Sequence, residues 1–242
     1  RLAAMEGAEA CRAGLAAKIM GGGKRVPVMQ PSTEGLGLGV TPIGPTWGAK
    51  YFLGADAQGR DVAARLFYGG RNSLLIAGAA TVICLLVAAA IGIAAGYLGG
   101  VVDGVLSNVI DIIWAFPVYL LAISLSIVMI GRSFAIGPFE ISSSSLIVPI
   151  LIIGLVYVPY VARPIRGRVL ALNQSEFVMA ARGLGIRPAR ILWRHILPNV
   201  STTLIVFAPM LMALNIVTES SLSFLSVGVQ PPNASWGTIL QD

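Results

Sequence analysis

The sequence predicts an all-α polytopic membrane protein, a bundle of kinked transmembrane helices, and three observations carry the prediction. Of the 242 residues, 56% are hydrophobic and only 12% charged, about half the charged fraction of an ordinary soluble domain. Between Ser73 and Leu98 there is no charged side chain, and as a helix that stretch measures roughly 39 Å against about 30 Å of hydrocarbon. None of the apolar runs shows the period-two alternation of a membrane barrel.

Composition also excludes several kinds of chemistry. Cys11 lies in a polar region and Cys84 inside the first apolar run, so the two would sit at different depths and a disulfide framework is not expected. With one histidine and no Cys or His cluster, a metal site has no obvious ligands. No short apolar core near the N-terminus resembles a cleavable leader.

Residues 1–53 form a polar segment rich in Gly, Ala and Pro, with a weak helix expected over Leu2–Ile19 and a flexible turn from Met20 to Lys24. Residues 54–72 change pattern. Asp56 with Arg60 and Asp61 with Arg65 are spaced as i,i+4 pairs, and Val62, Ala63, Leu66 and Phe67 share one face, which predicts a short amphipathic helix at the membrane surface. The transmembrane region, 73–242, then holds four spans at about 73–98, 107–131, 143–162 and 200–218, the last with an apolar continuation to Val229. Prolines 117, 149, 159 and 209 fall inside these spans, so kinked helices are expected. Trp114, Tyr119, Tyr157 and Tyr160 are read mainly as packing or interface residues.

Orientation comes from the loop 163–199. From Arg163 to His195 it carries seven arginines against one acid, Glu176, a net of +6 that equals the charge of the whole chain. The positive-inside rule makes this loop cytoplasmic, and alternation puts residues 1–72 and the Arg132–Ser142 loop outside. Arg60, Arg65 and Arg71 near the first span pull mildly the other way. Within the loop, Ser175 is placed to cap a helix beginning at Glu176, whose charge suits the positive end of the helix dipole. Phe177, Ala180, Ala181 and Leu184 follow at i, i+3, i+4 and i+7 as a narrow apolar stripe. Gly185 is placed to stop the helix and Pro188 to start another. An exposed helix with a small-residue face suits a groove on another protein, the alternative being a basic loop resting on lipid headgroups.

Three ordered motifs carry a resemblance. Met179-Ala180-Ala181-Arg182-Gly183-Leu184-Gly185 followed by His195-Ile196-Leu197-Pro198-Asn199 resembles the "EAA" loop of permease subunits of binding-protein-dependent ABC importers. Gly54-Ala55-Asp56-Ala57-Gln58-Gly59-Arg60-Asp61-Val62 with Arg65 and Gly70-Arg71-Asn72-Ser73-Leu74 resembles the segment before the second transmembrane helix in the dipeptide and oligopeptide branch, C-type subunit. Ser221-Leu222-Ser223-Phe224-Leu225 and Gln230-Pro231-Pro232 with Ser235-Trp236-Gly237 resemble that branch's stretch after the fifth helix. Met179 stands where the family has Glu, Ala55 where it has Thr and Ser226 where it has Gly. The family typically has six membrane helices. The resemblance therefore implies one more helix before residue 54 and one after Asp242, and a chain truncated or divergent at both ends.

The resemblance implies a subunit of an ATP-driven importer for dipeptides, oligopeptides or similar small solutes in a bacterial or archaeal cytoplasmic (inner) membrane. Its implied partners are a second homologous permease, two ATP-binding cassette subunits and an extracytoplasmic substrate-binding protein, together with the lipid bilayer and no nucleic acid. ATP and Mg belong to the ATPase partners, because Gly21-Gly22-Gly23-Lys24-Arg25 has Arg where a phosphate-binding loop needs Ser or Thr, and Lys18 where it needs Gly. The chain itself is expected to be no enzyme. The ATPase interface is expected at Glu176, Phe177, Ala180, Ala181, Arg182, Leu184, Gly185 and Arg187. Two acids are candidates for the pathway or a gate. Asp111 is expected at the cytoplasmic edge of the second span, and Glu219 near the external face, with a structural hydrogen bond as its alternative role. These acids alone support an ATP-independent transporter or channel. His195 alone supports a membrane enzyme, and no G-x-S-x-G turn accompanies it.

Overall fold

The computed structural model describes residues 52–56, 60–129, 134–136, 139–141, 146–230 and 233–241. The expected helix over Leu2–Ile19, the glycine turn and Cys11 lie outside the described residues. Nine α-helices are described: α1 Val62–Leu98, α2 Gly100–Trp114, α3 Val118–Met129, α4 Ile147–Val156, α5 Val158–Asn173, α6 Glu176–Gly183, α7 Pro188–Ile191, α8 Leu197–Phe224 and α9 Trp236–Gln241. A π-helical segment, Leu192–Ile196, joins α7 to α8, its i→i+5 bond closing from the Leu197 N–H to the Leu192 carbonyl. Between α3 and α4, in the expected outer loop, β1 Phe134–Ile136 pairs antiparallel with β2 Phe139–Ile141, Phe134 opposite Ile141 and Ile136 opposite Phe139.

Two continuous helical stretches, Val62–Leu98 and Pro188–Phe224, are long and apolar enough to cross a membrane. Two bent pairs make up to four such crossings if each pair counts as one span: α2 with α3 at 87° and α4 with α5 at 42°. The described parts of the expected spans are thus largely helical, and prolines lie at the bends. Pro117 occupies the break before α3, while Pro149 and Pro159 fall in the first turns of α4 and α5, where the missing N–H has no intrahelical partner to lose. Pro209 alone of the four lies within a long helix, α8.

Three boundaries differ from expectation. No separate surface helix covers 62–72, because these residues are the first turns of α1. The helix of the third span does not stop at Ala162: α5 runs on to Asn173, with Pro164 inside it. Arg163, Arg166 and Arg168 therefore lie on a helix and not in a loop, and the first two have acidic partners on α2. The second span is cut at Ala115–Pro117 into two helices nearly at right angles.

The chain divides into two compact units. The first contains the start of α1, up to Leu74, and everything from Ser220. Here Asp56 accepts from Arg60 Nε at 2.7 Å and from Arg65 Nη1 at 2.6 Å, both arginines being buried. The Asp61 carboxylate accepts from the Ala63 N–H at 2.9 Å and so caps the start of α1. In place of the expected Asp61–Arg65 pairing, Arg65 is held by Asp56. Helix α9 lies against α1, where Gly69 and Gly70 leave room for Ser235 and the Trp236 ring. The Trp236 indole donates to the Leu66 carbonyl at 3.2 Å, and Asn72 Nδ2 to the Ala234 carbonyl at 2.8 Å.

The second unit, Leu75–Glu219, is organised along α1. Ala77, Ala80, Cys84, Ala88 and Ala95 are fully buried, and the small residues let helices approach closely in the absence of a strong hydrophobic drive within lipid. A Cβ at Gly92 would lie 2.8 Å from the Ala162 carbonyl oxygen, and one at Gly96 2.8 Å from the Val169 side chain, so α5 touches α1 backbone to backbone. Gly154 on α4 packs in the same way over Ala80. Helix α2 packs on α5, and α3 on α4. Buried polar pairs join α8 to this core: Asn215 Nδ2 donates to Thr81 Oγ1 at 2.9 Å, and the Tyr157 and Thr218 hydroxyls lie 2.8 Å apart.

Candidate functional site

Helix α6 forms where expected, and its end is built as the sequence suggests. Gly185 has φ 71°. Its N–H donates to the Arg182 carbonyl at 2.9 Å, and the Ile186 N–H reaches back to the Ala181 carbonyl at 3.1 Å, the double bond pattern that terminates a helix at a left-handed residue. Pro188 opens α7 in its first turn, with Arg187 at the N-cap. The start differs. Ser175 has the extended backbone of an N-cap, but its hydroxyl donates to the Leu172 carbonyl and makes no side-chain cap.

The apolar stripe divides. Val178 and Ala181 are buried against the protein's own helices, at 0% and 5% exposure, while Phe177, Ala180 and Leu184 are exposed. Leu184 is 81% exposed and Met179 53%, large values for apolar side chains on so short a helix. Ala181 is thus removed from the expected contact face. Both alanines are small and apolar, and nothing local distinguishes the one that faces inward. Glu176, Arg182 and Arg187 are exposed around the same helix and its exit.

The helix is tied to its surroundings by polar contacts that sequence reasoning missed. Arg182 Nη2 donates to Asn173 Oδ1 at 3.0 Å. Asn173 Nδ2 in turn donates to the Gly96 carbonyl at 2.8 Å, and the Tyr97 hydroxyl to the Pro188 carbonyl at 2.7 Å. The Phe177 ring lies 6.1 Å from that of His195, so His195 has an aromatic packing role beside α6. Two acids on α2 also hold α5: Arg166 grips Asp103 through two bonds of 2.5 and 2.7 Å, and Arg163 Nη2 donates to Asp111 at 2.5 Å. The legible signal for these was the placement of isolated acids and arginines at the ends of apolar runs.

The two candidate pathway acids have different environments. Asp111 is more than half exposed and paired with Arg163, and beside it the Arg163 guanidinium lies 4.8 Å above the Trp114 ring, which stacks on Tyr160 at 5.6 Å. Glu219 is 1% exposed on α8. Among the described residues there is no group of three or more His, Cys, Asp or Glu able to hold a metal ion.

Bent apolar helices long enough to cross a membrane, followed by an exposed helix in a basic stretch, make this a polytopic membrane protein. Residues 88–242 match the family described as "Binding-protein-dependent transport system inner membrane component", and the chain belongs to that family. It is 36% identical over 194 residues to the dipeptide transport system permease protein DppC of Alkalihalophilus pseudofirmus, covering 80% of this chain and 60% of the relative. It is 35% identical over 192 residues to the oligopeptide transport system permease protein OppC of Bacillus subtilis, covering 79% and 59%. The glutathione transport system permease protein GsiD of Pectobacterium atrosepticum is 32% identical over 192 residues, covering 79% and 60%. The chain thus spans about three fifths of the length of these relatives.

Proposed function

We propose that this chain is a pathway-forming permease subunit of an ATP-driven importer for dipeptides, oligopeptides or similar small solutes, and that α6 is its coupling helix. The observation that carries the reading is the form of α6: its inner face is packed, its Arg182 is bonded to Asn173 at the end of α5, which is itself bonded to α1, and Phe177, Ala180 and Leu184 are left exposed. A rigidly held helix with an uncovered apolar face is what a groove on a cytoplasmic partner needs. The partners are a second permease, two ATP-binding cassette subunits that carry ATP and Mg, and an external binding protein. Glu176, Arg182 and Arg187 flank the contact. Closure of the ATPases moves α6, and the attached helices shift the pathway between inward and outward access. Asp111 belongs to the cytoplasmic mouth of that pathway, and Glu219 holds α8 in place.

Purification from the native membrane in mild detergent, with co-purifying chains identified by mass spectrometry, tests this. ATPase chains and a second permease are expected with the parent, and an Ala180→Glu/Leu184→Glu variant is expected to keep the permease and lose the ATPases. Recovery of this chain alone from both would favour an ATP-independent transporter.

A further inference from the structure

Helix α6 follows α5 after only Gln174 and Ser175, and α5 holds α2 through two ion pairs, each bridging more than fifty residues of sequence. Their geometries differ. Arg166 and Asp103 meet in a two-bond fork with side chains 33% and 20% exposed, a geometry that fixes orientation as well as distance. Arg163 and Asp111 share one bond and are 43% and 56% exposed; Asp111 sits on the last turn of α2, where Trp114 is held between Arg163 and Tyr160. That turn leads directly into the 87° bend to α3. A cleft of about 280 Å3 lies at the bend, lined from both sides by Trp114, Phe116, Pro117, Leu121, Pro159 and Tyr160.

We infer that the Arg–Asp contacts between α5 and α2 are the mechanical link that carries a displacement of α6 to the bend at Ala115–Pro117. Arg166–Asp103 is the strut, keeping α2 in step with α5. The Arg163–Asp111 contact and the Trp114–Tyr160 stack pass the movement to the last turn of α2, and the cleft gives the bend space in which to change angle. Well-packed helix contacts are stiff, and those between α5 and α1 at Gly92 and Gly96 leave α5 little freedom to slide. Helix α2 also packs on α5, and the charged contacts fix its position there, so that a movement of α5 is carried to α2. These four residues are positioning residues, acting through the helices they join.

The inference rests on the coupling reading of α6, and the test separates the two. The chain is reconstituted with its co-purified partners in vesicles, and peptide uptake and ATP hydrolysis are measured for the parent, Asp103→Asn, Arg166→Gln, Asp111→Asn and the reciprocal Asp103→Arg/Arg166→Asp variant. In each single variant the complex stays assembled and hydrolyses ATP, while peptide moved per ATP falls about tenfold, the scale of an ordinary coupling free energy. The reciprocal variant recovers most of the loss. Unchanged transport per ATP in the assembled single variants would overturn the link, as would loss of assembly that reversal of the charges fails to restore. A parent that takes up no peptide with ATP would overturn the coupling reading and the link with it.

Discussion

Ser226 ends α8 with φ 61°, the one positive φ at a non-glycine among the described residues. Its N–H donates to the Ser223 carbonyl and the Val227 N–H to the Leu222 carbonyl, each at 3.0 Å, the same termination that Gly185 gives α6. A side chain in that conformation costs on the order of 1 kcal/mol, so Ser226→Gly is expected to raise the thermal midpoint in detergent. A drop in the midpoint would mean that the bond from Gln241 to the Ser226 hydroxyl outweighs the strain. The two alanines of α6 give a second residue-scale prediction. Ala180→Glu leaves folding intact and weakens ATPase binding, whereas Ala181→Glu forces a charge into a buried position and destabilises the chain itself, read as lower yield and a lower midpoint. Gly185 and Pro188 were legible in the sequence because their effects are local. The orientation of Ala181 was not, because it depends on which side of α6 meets the other helices.

Among the described elements, hydropathy found the long helices but not where each one ends. A run of arginines reads as the edge of a membrane span, yet α5 carries three of them past Ala162, two held by Asp103 and Asp111. Partners more than fifty residues away leave no mark on a local pattern. The break at Pro117 was legible as a kink, although its size was not, since the angle is set by the packing of α2 on α5 and α3 on α4. Close approach of α5 to α1 supplies the prediction at this scale. Gly92→Val places new carbon against the Ala162 backbone and Ile165, and is expected to cost about 1–3 kcal/mol, as overpacking does. Gly78→Ala, where a Cβ meets nothing within 4 Å, is the control that keeps its midpoint. Equal effects of both would remove the argument for α1–α5 contact.

For the whole molecule, charge asymmetry was the most informative part of the sequence. The arginines of 163–195 predict which end is cytoplasmic by a rule that needs no fold, and most are exposed in the structure. With Cys11→Ser, and Cys84 fully enclosed, an Arg190→Cys chain is expected to react with a membrane-impermeant thiol reagent in inside-out vesicles and not in intact cells. Labelling of intact cells would reverse the topology. The π-helical segment at Leu192–Ile196 has a consequence for how the chain tolerates change in length. One turn there holds an extra residue, so helical phase counted along α7 and along α8 is out of step by about 100°. Deleting a single residue from this turn would restore ordinary winding, and would swing Phe177, Ala180 and Leu184 by about that angle around the axis of α8. A shortened chain of this kind would keep its hydropathy profile and its inserted helices, yet turn the exposed apolar face of α6 in another direction.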